Sequence, residues 1–544
     1  MSQAIDLAKT STKAGFNYLW GLVISTVISS LGTIVIIRLL GPGNYGLYGL
    51  VLTIPNVLML FRDWGMNQAI IRYTAQYRAE NREPEIKSIF ITGITFEIVM
   101  GIILSALTFL LAGSIAPFFK AFSEHPELVT LIQIASFSIL ANGLITAASS
   151  IFTGTEKTTY YSIMIICQSA LKTLLLIGLA MAGFGTLGAI SGFTLSTIFA
   201  GIIGVAFIII LYRKIPKTSI YKLELKKYTK QMLKYATPLA LLAMITGFLT
   251  QFYIIIYGYF FSDTALLGNY NAAFNFVILI SFFSIPITNL LFPAFSKLDI
   301  KKDKTTLKNV FQASIKYSSL LVVPVTAIVM CLSTQAVTAL FPQNGIIESL
   351  FDINATPQYP LTPLFLALLS INYLFTAIGS LSISNLINSQ GQTRLNLKFT
   401  ILTATIGFPM GYILIQQYNI FGLIFTSLFA PIPSLLLSIF WIKKHYDLTI
   451  DWISSAKILV SSAITATLTY TLLHLIHLSP AIELIIGTVF FILILFSTLI
   501  LTKTLSTHDI ANLRTMTTNL GPITKIIHII LNNMEKILIK LKRT

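Results

Sequence analysis

Charge is what this 544-residue chain has least of: Asp, Glu, Lys and Arg together make up 10% of it, against about 25% in a soluble domain. A solvated surface of this size needs far more ionised groups, so a water-soluble globular protein is excluded. Cysteine is rarer still. Cys167 and Cys331 are the two present, both inside apolar runs, which rules out a disulfide framework and leaves them as packing residues. The six histidines are scattered, with His474 and His477 at one outer helix end, so no metal site is expected. P-loop sequence is absent, and with it ATP hydrolysis by this chain. No D-x-D occurs, as a metal-dependent glycosyltransferase would want. The longest outer loop, between about Pro342 and Pro360, is too short and too poor in basic residues for a glycan polymerase or ligase; it does carry an N-A-T sequon at Asn354. Neither an enzymatic activity nor a cofactor is expected.

Apolar residues are what the chain has in excess, 55% of positions. They fall in runs of about 20, the length a helix needs to cross roughly 30 Å of hydrocarbon. The polar opening "MSQAIDLAKTSTKAG" and the long run after it do not read as a cleavable signal. The sequence therefore predicts an all-α polytopic membrane protein of about fourteen transmembrane helices. Two six-helix lobes are expected at 1–215 and 216–445, two additional helices within 446–502, and a basic amphipathic cytoplasmic tail at 503–544.

Basic residues orient these spans. With the N-terminus on the cytoplasmic side, Arg38 and Lys120 fall at outer ends and Lys172 inside a span; the rest of the 37 Lys and Arg lie on the inner side. That asymmetry is the positive-inside pattern and places both termini in the cytoplasm. The net charge of +17 then reflects topology and contact with anionic inner-leaflet lipids, and calls for no nucleic acid. The tail, ending "MEKILIKLKRT", has the spacing of an interfacial helix and is also suited to docking a partner.

The chain repeats itself weakly at a shift of about 230 residues, a length that one six-helix lobe would occupy. "GNYGLYGLVL" from Gly43 is echoed by "GNYNAAFNFV" from Gly268, and "GTEK" from Gly154 by "GQTR" from Gly391. The matches keep their order and their side of the membrane, as in a parallel repeat about an axis along the membrane normal. Gly41-Pro42-Gly43 reads as a tight outer hairpin, since proline cannot continue the helix and glycine permits the turn.

The stretch from Ile34 to Tyr77 resembles the polysaccharide biosynthesis membrane proteins, the Wzx-like lipid-linked oligosaccharide flippases. The residues that carry the likeness are R-L-L-G-P at Arg38–Pro42, the G-x-Y that follows, and D-x-G-x-x-Q-A-I-I-R-Y from Asp63 to Tyr73. The motif covers about 45 residues, while the hydropathy pattern agrees over roughly residues 5–445. The resemblance implies a two-lobed, alternating-access carrier of the superfamily that also holds MATE drug extruders and the peptidoglycan-precursor flippase MurJ. It implies a lipid-linked oligosaccharide diphosphate as cargo.

Ionisable residues inside spans are costly and default to function. Glu97 and Lys172 lie at similar depths, roughly 15–18 Å from the cytoplasmic edge at 1.5 Å per residue. They form either a structural ion pair within the first lobe or a cavity cation for an anionic headgroup with its counter-charge or proton site. Arg62, Asp63 and Arg72 lie where the second span meets the cytoplasm. They are either a solvated positive-inside face or an entrance that captures a diphosphate through guanidinium groups. Arg38 at the outer end either serves the same cargo or anchors the interface. The second lobe offers amides, among them Gln251 and Asn275, for helix contacts or sugar hydroxyls. Three classes remain open from sequence: a flippase, a MATE-like cation-coupled extruder that would want acids in its cavity, and a non-transporting scaffold of a glycan-assembly complex.

Overall fold

The computed structural model describes residues 2–214, 224–298, 302–343 and 352–502, with single residues at 504, 509, 514 and 532; side chains are described from Tyr18 onward, apart from a few within the helices. The expected basic tail at 503–544 lies almost entirely outside the described residues. Among those described the chain is helical, and two-residue pairing of β type is confined to Pro342 and Pro357.

The helices are α1 (Ser2–Asp63), α2 (Met66–Ala79), α3 (Glu83–Ile115), α4 (Leu128–Gly154), α5 (Thr158–Leu179), α6 (Gly185–Lys214), α7 (Leu225–Phe260) and α8 (Thr264–Ser296). They are followed by α9 (Lys304–Cys331), α10 (Ser333–Leu340), α11 (Thr362–Leu374), α12 (Ser380–Ser389), α13 (Thr393–Tyr418), α14 (Ile420–Phe429), α15 (Ile432–Tyr446), α16 (Trp452–Leu475) and α17 (Pro480–Leu501). Eleven helical stretches among the described residues are long and apolar enough to cross a membrane, or twelve when α11 and α12, bent by 54° at Gly379, count as one broken span. Two of the eleven, of 44 and 57 residues, exceed one bilayer thickness and contain breaks, so eleven counts continuous stretches rather than passages.

The first break is at Gly41 (φ 70, ψ 171), inside α1. Where a hairpin loop is expected, the helix breaks at a single residue: Gly41 takes a positive φ and Pro42, with its fixed φ, opens the next arm. The second lies between α5 and α6, at Gly183 (φ 87) and Gly185 (φ 49).

Packing groups the chain into two compact units, Met1–Asn271 with Thr400–Ala430, and Ala272–Phe399 with Pro431–Thr544. These cuts differ from 215/216 and 445/446: α7, the start of α8 and residues 400–430 group with the first unit. Met232 and Ala236 of α7 are fully buried with Ile70, Phe90 and Phe152, and Gln231 donates to the Tyr77 hydroxyl at 3.1 Å.

Within the first unit, small and hydroxyl residues let helices approach, as membrane packing favours. The first arm of α1 lies on α5 through Ser25–Ser169 (2.7 Å) and Thr173 donating to the Ile28 carbonyl (3.3 Å). The second arm meets the start of α8, where a Cβ on Gly46 would strike the Thr264 carbonyl and one on Gly268 the Pro42 carbonyl. Gly268, a repeat counterpart in sequence, is thus also a packing partner. In the second unit α16 and α17 are joined by hydroxyl pairs, Ser461–Thr502 (2.9 Å) and Thr465–Thr498 (3.0 Å).

Backbone geometry supports the repeat and corrects its register. α4 and α12 end in the same motif: Lys157 N donates to Phe152 O (2.9 Å) and Gln392 N to Ile387 O (3.0 Å), the six-to-one bond of a Schellman stop. The left-handed residue is Glu156 (φ 57) in one and Gly391 (φ 74) in the other, so Gly154 is not the partner of Gly391. Further on, Gly185 (φ 49, ψ −130) and Asn419 (φ 59, ψ −135) share one unusual conformation before α6 and α14.

Candidate functional site

Two of the intramembrane charges, Arg62 and Glu97, meet where α1 gives way to α2. Trp64 (φ 46) and Gly65 (φ 75) both take the left-handed conformation, which ends α1 at Asp63 and restarts the helix at Met66. Only a glycine fits the second position, because its Cβ side faces the Ala236 carbonyl of α7. Asp63 spans the break: its Oδ1 accepts from Asn67 N at 3.0 Å and so caps α2.

The residue before it, Arg62, turns inward. It is 3% exposed, and its Nε lies 2.7 Å from Oε2 of Glu97 on α3, which is 0% exposed. Its other nitrogens donate to α4, Nη1 to the Ile139 carbonyl (3.2 Å) and Nη2 to the Thr146 hydroxyl (2.9 Å). Gly143 makes room, since a Cβ there would sit 3.2 Å from Glu97 Oε2 and 3.3 Å from Arg62 Cδ. Both oxygens of Glu97 and Arg62 Nε are buried without a partner in hydrogen-bond geometry, so the 2.7 Å contact is an ion pair. Two ionisable side chains, Arg62 of α1 and Glu97 of α3, thus meet beside a break in a membrane helix, next in the chain to Asp63.

This arrangement corrects two expectations. Arg62 is not on a solvated cytoplasmic face or an exposed entrance; the break after Asp63 carries the chain on as α2 and leaves Arg62 inside. Glu97 does not pair with Lys172. The Lys172 ammonium lies half-buried on α5, 5.7 Å from the centre of the Phe193 ring on α6, with no acid among the described residues in contact with it.

The other expected site residues stand apart from this cluster. Arg72 is exposed on α2 and stacks over the Tyr235 ring at 4.0 Å, with Tyr73 at 5.5 Å. Arg38 is half-buried three residues before the Gly41 break and makes no ion pair among the described residues. Gln251 is half-buried on α7, and Asn275 half-buried on α8 in the second unit.

Sequence reasoning missed the α4 contribution of Thr146, Gly143 and the Ile139 carbonyl, none of which is charged. It also missed an aromatic row in the first unit, Phe61–Phe248 (6.3 Å), Phe248–Phe408 (5.9 Å) and Phe252–Phe408 (4.9 Å). In the second unit an apolar cavity of about 590 Å³ lies among α9, α11 and α16, lined by Val323, Ala327, Ala367, Ala463 and Tyr470. No group of three or more His, Cys, Asp or Glu suited to a metal ion occurs among the described residues.

The fold superposes on an inward closed conformation of the lipid II flippase MurJ with a TM-score of 0.68, at 16% identity, covering 88% of this chain and 97% of that one. An inward-facing multidrug-resistance MATE transporter gives 0.58 at 14% identity, covering 79% and 98%. An uncharacterized membrane protein of Methanocaldococcus jannaschii is 25% identical over 425 residues, 75% of this chain and 80% of that protein. The profile of the polysaccharide biosynthesis protein family matches residues 35–344. The chain belongs to that family.

Proposed function

We propose that this protein is an alternating-access flippase that moves a lipid-diphosphate-linked oligosaccharide from the inner to the outer leaflet, for polysaccharide or glycoprotein assembly. The observation that carries the reading is Lys172. It is a cation within a membrane helix, half-buried, with an aromatic ring and no acid beside it among the described residues. An intramembrane cation left without a counter-charge suits an anionic cargo that supplies one. The polysaccharide biosynthesis family supports the glycan part of the reading, and the MurJ-like fold supports a membrane carrier.

A MATE-like extruder of cations wants an acid available to its cargo. The deep acid here, Glu97, is already held by Arg62 at 2.7 Å, which argues for the flippase. In this reading the protein makes no covalent change in its cargo and needs no cofactor. It sits in the cell membrane with both termini cytoplasmic, its basic inner face against anionic lipids, and its tail available to a glycan-assembly complex. The test is the purified protein in proteoliposomes, following leaflet accessibility of a fluorescent lipid-diphosphate oligosaccharide. Acceleration over protein-free vesicles is expected. Efflux of cationic dyes without lipid movement favours the extruder, and neither activity favours a scaffold.

A further inference from the structure

Gln251 stands near the middle of the apolar stretch Ala240–Phe260 of α7. It is half-buried and makes no hydrogen bond among the described residues. An amide at that depth with nothing to bond is costly against hydrocarbon, so it calls for water or a polar ligand. Phe248 lies one turn before Gln251, and Phe252 one turn after Phe248, so the three share one side of the helix. Both rings meet Phe408 of α13, at 5.9 and 4.9 Å, and Phe61 of α1 meets Phe248 at 6.3 Å. None of the four rings is buried: Phe61 is exposed and the other three are half-buried. Thr405, one turn before Phe408, is exposed; its hydroxyl donates to the Ile401 carbonyl at 2.9 Å and keeps its lone pairs available.

Packing of α7 on α13 uses a different set of residues. The Tyr253 side chain lies against two glycines: a Cβ on Gly407 would sit 2.5 Å from its hydroxyl, and one on Gly411 2.8 Å from its ring. Tyr253 is 5% exposed and its hydroxyl has no hydrogen-bond partner. A second unsatisfied polar group is thus placed at Gly407, next in the chain to Phe408.

We propose that the side of α7 carrying Phe248, Gln251 and Phe252, together with Thr405 and Phe408 of α13, is the site that takes the sugar of the cargo; this rests on the flippase reading above. A pyranose offers apolar C–H faces, which pack on the electron-rich faces of aromatic rings. It also offers a rim of hydroxyls, which pair with groups that both donate and accept, as a carboxamide and a hydroxyl do. A lipid chain alone has no use for the amide. A diphosphate wants cations, and no Lys or Arg lies between Lys234 and Lys297 or between Lys398 and Lys443. The diphosphate is left to Lys172.

The experiment places a cysteine at the site. Gln251→Cys and, separately, Thr405→Cys are made in the full chain carrying Cys167→Ala and Cys331→Ala. Each is reconstituted in proteoliposomes and labelled with a water-soluble maleimide present on both sides of the membrane. The probes are polyprenyl diphosphates bearing no sugar, a hexose or an N-acetylhexosamine; the proposed contacts are those of any pyranose, so both sugars serve. Both cysteines are expected to label in the absence of lipid. Either sugar-bearing lipid slows labelling several-fold, the sugar-free diphosphate does not, and Phe408→Leu in the Q251C chain removes the protection. Cysteines that never label show a face closed to water and overturn the site. Equal protection by the sugar-free lipid gives the face to the chain or the diphosphate, and protection by none of the lipids leaves it without a ligand; either overturns the proposal. Protection that survives F408L overturns the part given to the rings. If Q251C does not fold, T405C decides. Lipid movement is followed in the same vesicles: sugar-specific protection where no lipid moves sustains the sugar site and overturns the flippase reading instead.

Discussion

Arg62 and Glu97 face each other at 2.7 Å between α1 and α3, both within a few per cent of full burial. Removing one partner of a buried pair leaves an uncompensated charge and costs about 3–5 kcal/mol, while removing both with apolar residues is close to neutral. Arg62→Met is therefore expected to lower the thermal unfolding temperature in detergent sharply. Arg62→Met with Glu97→Met recovers most of the loss. Equal damage from the single and double variants would show that the pair itself is not what holds α1 to α3.

Gly46 and Gly268 bring the second arm of α1 and the start of α8 to backbone contact. A methyl group at either position meets a carbonyl rather than a flexible side chain, so Gly46→Ala and Gly268→Ala are each expected to destabilise by about 1–3 kcal/mol, the usual penalty of overpacking. Detergent thermal shifts report it. Combining the two should fall short of additivity, because both disrupt one contact. Strict additivity would contradict a shared interface.

Asn419 holds the dihedral angles that Gly185 holds in the first repeat. A side chain at such angles stores on the order of 1–3 kcal/mol. Asn419→Gly is expected to raise stability, and Gly185→Ala to lower it. A neutral or destabilising Asn419→Gly would mean that the amide does something at the α13–α14 turn that outweighs the strain.

Outside the membrane spans, Asp447 follows α15 and takes a hydrogen bond and charge from Lys304, 3.1 Å away, which hold its carboxyl below the usual range. A depressed pKa means the contribution is present above the unfolded value, about 3.9, and fades as pH falls through the folded one. Lys304→Met should move the Asp447 titration upward in NMR. Both side chains are well exposed, so the effect on unfolding should be small.

The helical character, the apolar stretches and the repeat are legible in composition and spacing, because a bilayer demands runs of about 20 apolar residues. Glu97 stands out for the same reason: one acid in an apolar run is conspicuous. Its partner is not. Arg62 sits at what hydropathy reads as the end of a span, and only the left-handed pair Trp64–Gly65 shows that the helix resumes with the arginine inside. Periodicity is blind to that break because positive φ at tryptophan leaves no composition signal. Distance along the helices sets Glu97 and Lys172 at similar depths but does not give the direction in which each side chain points. The turn register failed for a related reason. Gly154 matches Gly391 in residue type, but Glu156 is the left-handed residue. Asn419 likewise stands where the first repeat has glycine, so the best structural match of the repeat is invisible as identity.

The central claim is that Lys172 receives the anionic headgroup of a lipid-linked cargo. The most direct measurement is the translocation rate, in proteoliposomes of the intact protein and Lys172→Met, for fluorescent oligosaccharide lipids whose headgroup bears a diphosphate, a monophosphate or no charge. The account predicts that the intact protein moves the diphosphate fastest and the neutral lipid slowest, and that K172M, still folded, loses this ranking together with most of the diphosphate rate. Equal rates for all three lipids, or a K172M variant that keeps the ranking, would contradict it.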